Sequence, residues 1–394
     1  MARKNRLVVE DGLYHITTRI AHQERLLADP KVKSLIVGWI YSIADFSGIE
    51  VYAWNVMDNH LHVYVHVPPV PKKYWLAASE ATRAPMASAF SMRPAENRAP
   101  RWTPDITDRN HPITPAGDCP SEEALVRAIA DGLPVAHVPH PPTGFTMSDV
   151  EMLGRLGFLY KPEAVKKIAE RWAGARAAGR GDSVEREKAA YCRRMYNVSQ
   201  YMKTLKQRIS EHFNRRRGHE GQLWDGRFCS GLVDRDDPLS SLYVASYIEL
   251  NSYRTKRRIA PKNWAWCSYA TALGNGPYAT RAREGYEKMF GVPWEEAIRR
   301  LESVFAAELP EGYDPDTGDL TYETGEVADG TPKRRALTMA QLVKVHCRML
   351  ERGGFISRSA EFAKKALAAF SERFPAPSER SVRFFQRFDW HLAA

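Results

Sequence analysis

The chain has 394 residues, of which 44% are hydrophobic, and its formal net charge is +10. Its length predicts about two or three domains, and it has no run of ~18 apolar residues that would predict a membrane-spanning helix. The N-terminus has no apolar stretch, and the five cysteines form no CxxC pair. We therefore expect a cytoplasmic protein without a disulfide framework or a cysteine zinc site.

The first part of the chain alternates between strand and helix patterns. Residues 12–20 alternate in a way that predicts a strand. Asp29-Pro30 then supplies an N-cap and a first-turn proline for a helix. Residues 49–57 and 60–67 predict two strands joined by a short polar turn. This β-α-β-β order is the first half of a ferredoxin-like split βαβ unit.

The rest of the chain is proline-rich at first and then mostly helical. Residues 68–142 contain fourteen of the 25 prolines, which is typical of loops. Helical periodicity returns over 149–178, and a longer helical pattern covers 183–216. An extended segment then supplies a fourth strand, and a second Asp-Pro pair begins a helix over 238–251. The final segment, 284–394, is largely helical in pattern.

These elements predict an α+β protein built on a ferredoxin-like antiparallel sheet with helices on one face. We expect residues 1–68 and 183–274 to form the two halves of this sheet domain. Residues 69–182 would be a long insertion of proline-rich loops followed by helices, and 284–394 a helical C-terminal extension.

The positive charge is concentrated in one region. Residues 1–68 hold seven basic and seven acidic residues, whereas 193–262 hold fifteen basic and seven acidic residues, a net of +8. Aromatic residues are interleaved with these basic groups. Such a pattern suits nucleic acid, because cations neutralise phosphates and rings stack on unpaired bases. A solvated basic face above core aromatics is the alternative.

His60 and His62 lie two positions apart in a predicted strand. Because side chains alternate across a strand, both imidazoles leave the same face, with Cβ atoms roughly 6–7 Å apart. This spacing suits two ligands of one metal ion. A pair of exposed or hydrogen-bonded strand histidines is the alternative explanation.

Several motifs occur in a fixed order around this pair. The first half of the chain contains Gly12-Leu13-Tyr14-His15-Ile16-Thr17-Thr18-Arg19, and then Ala53-Trp54-Asn55-Val56-Met57 before the histidines. The second half contains Phe213-Asn214-Arg215-Arg216, Gly221-Gln222-Leu223-Trp224-Asp225-Gly226-Arg227-Phe228, Tyr247-Ile248-Glu249-Leu250-Asn251 and Trp264-Ala265-Trp266-Cys267-Ser268-Tyr269. Together they resemble the REP-associated tyrosine transposases, a group of the single-tyrosine HUH (His-hydrophobic-His) transposases. The resemblance covers residues 3–68 and 190–274.

The resemblance implies a nucleophile and a metal site. Tyr247 matches the tyrosine that attacks single-stranded DNA and forms a 5′-phosphotyrosine with a free 3′-hydroxyl. His60 and His62 match the ligands of a divalent metal, Mg²⁺ or Mn²⁺, and Asn251 matches the polar position that supplies a third ligand. In the family a proline commonly follows this asparagine, whereas this chain has Ser252.

The residue pattern agrees with these roles but leaves alternatives. A phenol with a pKa of ~10 is a weak nucleophile at neutral pH, so a metal that polarises the phosphate would help it. Asn251 lies four residues after Tyr247, on the same face of a helix. Tyr243 shares that face and competes for the nucleophile role, as does Tyr253. A packing role for Tyr247 is the remaining alternative.

The expected DNA contacts follow from charge and from the aromatic positions. Each basic contact to a phosphate would add to the salt dependence of binding. The candidates are Arg3, Lys4, Arg6, Lys203, Lys206, Arg208, Arg215, Arg216, Arg217, Trp224, Arg227, Arg254 and Arg257. For Trp224 a core role is an equally good interpretation, and the N-terminal basic residues could instead be solvated.

Three functions fit these observations. The first is a metal-dependent transposase or endonuclease that cleaves and rejoins single-stranded DNA at REP-like hairpins. The second is a domesticated hairpin-binding protein without cleavage activity, and the third is a metal-dependent RNA-processing protein. For the first we expect single-stranded or hairpin DNA as the partner, no membrane, association with the nucleoid, and a monomer or homodimer.

Overall fold

The computed structural model describes residues 9, 11–74, 145–218, 221–255, 258–308 and 355–356. The chain divides into two compact units. The first unit comprises residues 1–38, 50–66 and 209–394, and the second comprises residues 39–49 and 67–208. Within the described ranges, no helix combines the length and the apolar character needed to cross a membrane.

The described part of the first unit is built on a mixed sheet. Its strands are β1 (Gly12–Arg19), β2 (Glu50–Val56), β3 (His60–Val67), β4 (Cys229–Val233) and β5 (Phe355–Ile356), in the order β2-β3-β1-β4-β5. The β2–β3 and β1–β4 pairs are antiparallel, and the two-residue β5 runs parallel to β4. The order β2-β3-β1-β4 is that of a ferredoxin-like split βαβ sheet, so the predicted fold class is confirmed.

Strands β1 and β3 are also antiparallel. The backbone N–H of Ile20, just after β1, donates to the carbonyl of Asn59, just before β3, at 2.8 Å. At the other end, His66 Nε2 lies 2.6 Å from the Asp11 carboxylate, which precedes β1. This pairing places the middle of β1 beside the histidines of β3.

Nine helices join these strands in the described residues. They are α1 (Pro30–Ser47), α2 (Asp149–Leu156), α3 (Pro162–Ala177), α4 (Gly181–Cys192), α5 (Val198–Arg217), α6 (Pro238–Glu249), α7 (Ser268–Leu273), α8 (Ala279–Phe290) and α9 (Trp294–Glu308). Both Asp-Pro pairs precede a helix as predicted. Asp29 Oδ1 accepts a hydrogen bond from the Lys31 N–H at 2.8 Å, and the Asp237 carboxylate accepts one from the Ser240 hydroxyl at 2.7 Å.

The core of the first unit lies between β2 and the helices α6, α7 and α8, which pack against it. Tyr64, Tyr247 and Tyr286 are buried in this core. Helix α8 approaches β2 closely at Gly285, where a Cβ atom would lie 2.7 Å from the carbonyl oxygens of Val51 and Tyr52. Only a glycine permits this approach without a shift of backbone.

Three expectations about elements need correction. The predicted helix over 183–216 is two helices, because Tyr196 adopts a left-handed conformation (φ 48°) and Asn197 caps α5 by accepting from two backbone N–H groups, at 2.9 and 3.1 Å. The helix predicted over 238–251 ends at Glu249, so Asn251 lies in the following turn. The sheet also gains β5, which lies in a segment that was expected to be largely helical.

The second unit contains α2, α3 and α4. Asp149 on α2 accepts two hydrogen bonds from Arg176, both at 2.7 Å, and one from the buried Lys188 at 2.9 Å. Burial acts to raise the pKa of Asp149, but the hydrogen bonds from these two cations outweigh it and lower that pKa. The carboxylate therefore ties the three helices together.

Candidate active site

His60 and His62 begin β3 and project from the same face of the sheet. Their ring centroids are 5.1 Å apart, and the ring planes are nearly perpendicular. His62 is buried, with 4% of its surface exposed, and His60 is partly exposed at the strand end. The period-two expectation for this pair therefore holds in the structure.

Asn251 faces both histidines although it lies beyond the end of α6. Its Oδ1 is 3.3 Å from His60 Nε2, and its Nδ2 is 2.9 Å from His62 Nε2. The Ser252 hydroxyl, which follows, donates to the Ile259 carbonyl at 2.9 Å. This bond closes the turn that presents the Asn251 amide to the histidines.

His60 and Asn251 have the spacing of two metal ligands. Ligand atoms at about 2.1 Å from one ion lie about 3.0–3.4 Å from each other in octahedral or tetrahedral geometry. The 3.3 Å between His60 Nε2 and Asn251 Oδ1 matches that spacing, whereas the 2.9 Å contact of His62 Nε2 is to the amide Nδ2, which donates and is not a ligand atom. Among the described residues, no group of three His, Cys, Asp or Glu side chains could hold a metal, so the Asn251 amide oxygen is needed to complete this set.

His60 and His15 are kept neutral by their surroundings. Burial is the main cause that lowers the pKa of His60 to about 4, with a further contribution from the positive charge of Arg19. Burial, followed by the charge of Arg254, lowers the pKa of His15 to about 3. A neutral imidazole offers a ring nitrogen lone pair at neutral pH, which is the form that binds metals.

Tyr247 lies beside this cluster. The centroid of its ring is 5.7 Å from that of His62 and 5.6 Å from that of His15, in both cases edge to face. Tyr243 lies one helical turn earlier, and its ring centroid is 6.5 Å from that of Tyr247. The tyrosine whose ring contacts the histidines is thus the one that the family pattern selects.

Arg254 places a positive charge against Tyr247. Its guanidinium carbon lies 4.1 Å from the ring centroid, and its Nη1 donates to the Tyr247 carbonyl oxygen at 3.4 Å. Such cation–π contacts hold an arginine over an aromatic face. Arg254 is half-buried, so one side of the site carries a fixed positive charge.

Two buried hydrogen-bonding residues fix the end of the tyrosine helix. Asn55 on β2 stands opposite His62 in the sheet register. Its Nδ2 donates to the Ile248 carbonyl at 2.8 Å, and its Oδ1 accepts from the Trp264 indole at 3.0 Å. The helix is therefore tied directly to the strand pair that carries the histidines.

Glu249 is the second of these residues. Its carboxylate accepts hydrogen bonds from the Ser268 hydroxyl, the Tyr286 hydroxyl at 2.7 Å and the backbone N–H of Tyr269 at 3.2 Å. Burial raises the pKa of Glu249. These contacts explain why the tyrosine motif and the Trp264–Tyr269 motif occur together, since each supplies hydrogen-bond partners to the other.

The turn before His60 is held by a buried lysine. Lys33, with 1% of its surface exposed, donates to the Asp58 carboxylate, and its Nζ lies 4.9 Å from the Trp264 ring centroid and 5.0 Å from that of Trp266. Arg25 also binds Asp58. The trailing tryptophans thus help to position the start of β3.

The basic residues predicted to contact DNA fall into several groups. Arg215, Arg216 and Arg227 of the first unit, and Lys203 of the second, are exposed, and Lys206 is half-buried. Arg216 also lies 3.9 Å from the Asp29 carboxylate. Arg3, Lys4, Arg6 and Arg257, and the side chain of Arg217, lie outside the described residues.

Two of the predicted DNA contacts need correction. Arg208 is 6% exposed, and its guanidinium donates to the Leu159 carbonyl. Trp224 is 5% exposed, and its indole N–H donates to the Ser210 hydroxyl at 2.9 Å. Because both side chains are committed to the interior, the expectation that they touch DNA is wrong, and the core interpretation of Trp224 holds.

Sequence reasoning placed His15 on β1 but gave it no place in the site. In the structure His15 is fully buried, its Nε2 lies 3.0 Å from His62 Nδ1, and the two rings stack at 5.2 Å. The sequence signal was a histidine on the same strand face as Leu13 and Thr17. Only the β1–β3 pairing reveals that this face meets His62.

Comparisons with known proteins give little further information. No protein-family model and no curated protein matches this chain. Among solved structures, a REP-associated tyrosine transposase bound to a REP hairpin matches with a TM-score of 0.31 and 9% identity, over 69% of this chain and 86% of that chain. A score and identity this low are too small to establish a functional relationship.

Proposed function

We propose that this protein cleaves and rejoins single-stranded DNA with Tyr247 as nucleophile and with a divalent metal at His60, His62 and Asn251. The observation that carries the proposal is the convergence of these four side chains. The Asn251 amide lies 3.3 Å from His60 Nε2 and 2.9 Å from His62 Nε2, and the Tyr247 ring packs against His62. The histidines come from β3, Tyr247 from α6 and Asn251 from the turn after α6, and His62 and Tyr247 lie 185 positions apart in the chain.

The proposed reaction is a phosphoryl transfer to tyrosine. The Tyr247 phenolic oxygen attacks phosphorus, a Tyr–O–P bond forms, and the P–O3′ bond breaks. The phenol proton passes to solvent and the leaving 3′-oxygen takes up a proton, which gives a 5′-phosphotyrosine and a free 3′-hydroxyl. The phosphodiester energy is conserved in this intermediate, so a 3′-hydroxyl can reverse the step without a nucleotide cofactor.

Each residue of the site has a distinct task in this proposal. Mg²⁺ or Mn²⁺ bound at the histidines would polarise a phosphate oxygen and offset the negative charge that develops there. Arg254 faces the Tyr247 ring and would attract the phosphate to the nucleophile. Glu249 and Asn55 hold the end of α6, so the phenol and the Asn251 amide keep their places relative to the sheet.

A covalent-adduct assay tests the proposal. The protein is incubated with Mn²⁺ or Mg²⁺ and labelled single-stranded DNA that carries hairpins from around its own gene, and the products are separated on a denaturing gel. We expect an adduct with the wild type and with Tyr243→Phe, the matched control, but none with Tyr247→Phe. We also expect His60→Ala to abolish the adduct and leave hairpin binding largely intact.

The same assay separates this proposal from the alternatives. Binding of hairpins by the wild type without any adduct would favour a hairpin-binding protein that does not cleave. An adduct that persists in Tyr247→Phe and disappears in Tyr243→Phe would move the nucleophile to Tyr243. Parallel loss of hairpin binding and cleavage in His60→Ala would mean that the histidine is structural.

A further inference from the structure

The two site histidines each use their second ring nitrogen in a different hydrogen bond. His60 Nδ1 lies 2.7 Å from Asn59 Oδ1, and His62 Nδ1 lies 3.0 Å from His15 Nε2. We propose that Asn59 and His15 are positioning residues that hold both histidines in the Nδ1–H tautomer, so that both Nε2 lone pairs face Asn251. This inference rests on the proposed metal site.

The orientation of Asn59 is fixed by a second contact. Its Nδ2 donates to the Gln23 carbonyl at 3.2 Å, so Oδ1 is the atom that faces His60. Both ring nitrogens of His60 face amide oxygens, which only accept, and Asn59 Oδ1 at 2.7 Å is much closer than Asn251 Oδ1 at 3.3 Å, so the single proton of a neutral His60 lies on Nδ1. His60 Nε2 is left with a lone pair, directed at Asn251 Oδ1 at 3.3 Å.

Two acceptor atoms at this distance indicate a place for a cation. With the proton of His60 on Nδ1, its Nε2 lone pair and the Asn251 amide oxygen face each other as two acceptors 3.3 Å apart, an arrangement that a positive charge between them would stabilise. A metal ion supplies that charge. The tautomer that Asn59 imposes on His60 is thus the one in which His60 Nε2 and Asn251 Oδ1 can both bind the same metal ion.

His62 faces the other end of the Asn251 amide, so its tautomer follows from a different contact. Asn251 Nδ2 lies 2.9 Å from His62 Nε2, and an amide N–H can only donate, so His62 Nε2 accepts. The proton of His62 is then on Nδ1 and is donated to His15 Nε2. His15 and His62 are both buried, so water does not easily replace this bond.

The chemistry of these partners matters for the metal. The outer partner of a metal-bound histidine fixes the ring orientation and tautomer and tunes ligand basicity. A carboxylate in that place would add negative charge close to the metal. An amide and a neutral imidazole fix the tautomers without adding charge, which leaves the ion a stronger Lewis acid for a phosphate oxygen.

Mn²⁺ affinity measured without DNA tests the inference. Free Mn²⁺ is followed by electron paramagnetic resonance as the full-length protein is titrated. His15→Phe keeps the ring volume but removes the acceptor, and Asn59→Leu does the same for His60; each should weaken Mn²⁺ binding by about 10- to 100-fold. His15→Gln and Asn59→Asp keep an acceptor and should bind Mn²⁺ within about threefold of the wild type or more tightly.

The control is Tyr14→Phe, a substitution on β1 next to His15 that removes the hydroxyl bonded to Val9. It should leave Mn²⁺ affinity unchanged. A merely structural role for His15 predicts that excess Mn²⁺ does not restore adduct formation in His15→Phe, whereas a positioning role predicts that it does. Unchanged Mn²⁺ affinity in the folded His15→Phe and Asn59→Leu variants would overturn the inference.

A measurement on the wild type does not depend on whether any variant folds. Histidine-selective ¹⁵N labelling of the metal-free protein reports which ring nitrogen carries the proton, and both His60 and His62 should be Nδ1–H. A proton on Nε2 of either residue would overturn the inference. A wild type that binds no Mn²⁺ would overturn both proposals, whereas Mn²⁺ affinities that follow the expected order without any DNA adduct would overturn only the proposed cleavage.

Discussion

Replacing Glu249 by alanine tests whether the tyrosine helix is anchored by a buried carboxylate. The side chain is fully buried and accepts hydrogen bonds from the Ser268 hydroxyl, the Tyr286 hydroxyl and the Tyr269 backbone N–H. Alanine removes all three acceptor contacts at once. The loss of stability depends on whether each of the three donors can find another acceptor.

The hydroxyls have substitutes, but the backbone N–H has none in the described structure. The Ser268 hydroxyl can turn to the Trp54 carbonyl, 3.3 Å away, and the Tyr286 hydroxyl can donate to Ser268 Oγ, 3.0 Å away. The Tyr269 N–H cannot turn. An unsatisfied buried donor costs roughly 1–3 kcal/mol, and each weakened hydrogen bond about 1 kcal/mol. Removing the carboxylate also removes the cost of burying it, which offsets part of this loss. We therefore expect the free energy of unfolding to fall by about 3 kcal/mol.

Glutamine at the same position should be milder. Its oxygen can accept from the Tyr269 N–H while its NH₂ group faces the two hydroxyls, which can accept instead. We expect Glu249→Gln to cost about 1 kcal/mol. Urea unfolding followed by tryptophan fluorescence measures both variants, with Glu296→Ala as the control. Glu296 is half-exposed, and within the described residues its only ion pair is with Arg300 of the same helix, so its loss should cost less than about 1 kcal/mol. Equal losses in Glu249→Ala and Glu296→Ala would refute the anchoring role.

Three further predictions concern packing, pH and DNA. Gly285→Ala should destabilise the fold by about 1–3 kcal/mol in urea unfolding, because the added methyl group meets two carbonyl oxygens of β2 at 2.7 Å. This cost should exceed the gain from the higher helix propensity of alanine. A stabilised variant would contradict this. The hydrogen bond from His66, followed by that from Lys288, lowers the pKa of Glu50 to about 2 against the opposing effect of burial. The Glu50 carboxylate therefore stabilises the fold above pH 4.5, its ordinary pKa, and this stabilisation is lost as the pH falls towards about 2. Glu50→Gln should make the free energy of unfolding fall less steeply with pH over this range. An unchanged dependence on pH would be inconsistent with the hydrogen bonds from His66 and Lys288. Arg254→Gln should slow adduct formation and reduce the slope of log K for DNA binding against log salt concentration by about one. An unchanged slope would mean that Arg254 does not contact a phosphate.

Local patterns predicted the elements of the sheet domain well. The alternation over 12–20 and 60–67 and the two Asp-Pro pairs correspond to strands and helix starts in the structure, because strand period and capping act over a few residues. The break in the helix at Tyr196 was not predicted, since a non-glycine residue with positive φ carries no reliable sequence signal. Strand β5 was missed because two residues are too few to show a period.

Only those relations within the site that lie in a single strand or helix could be predicted from the sequence. The His60–His62 spacing follows from the strand period, and the structure brings this pair to Asn251. The helix period predicted that Asn251 shares a face with Tyr247, but the helix ends at Glu249, so the turn that follows places Asn251. The role of His15 depends on which strand lies beside β3, which is a matter of long-range pairing. The burial of Arg208 was likewise invisible, because a basic residue on a helix looks the same in sequence whether it faces solvent or the interior.

The central claim is that the Tyr247 phenol forms a covalent bond to DNA next to the histidine pair. Mass spectrometry of peptides from the protein–DNA adduct, after nuclease trimming of the DNA, identifies the modified residue directly. We expect a nucleotide 5′-phosphate on Tyr247 in the wild type, formed only when Mg²⁺ or Mn²⁺ is added. A nucleotide on Tyr243, on another residue, or on no residue despite hairpin binding would contradict it.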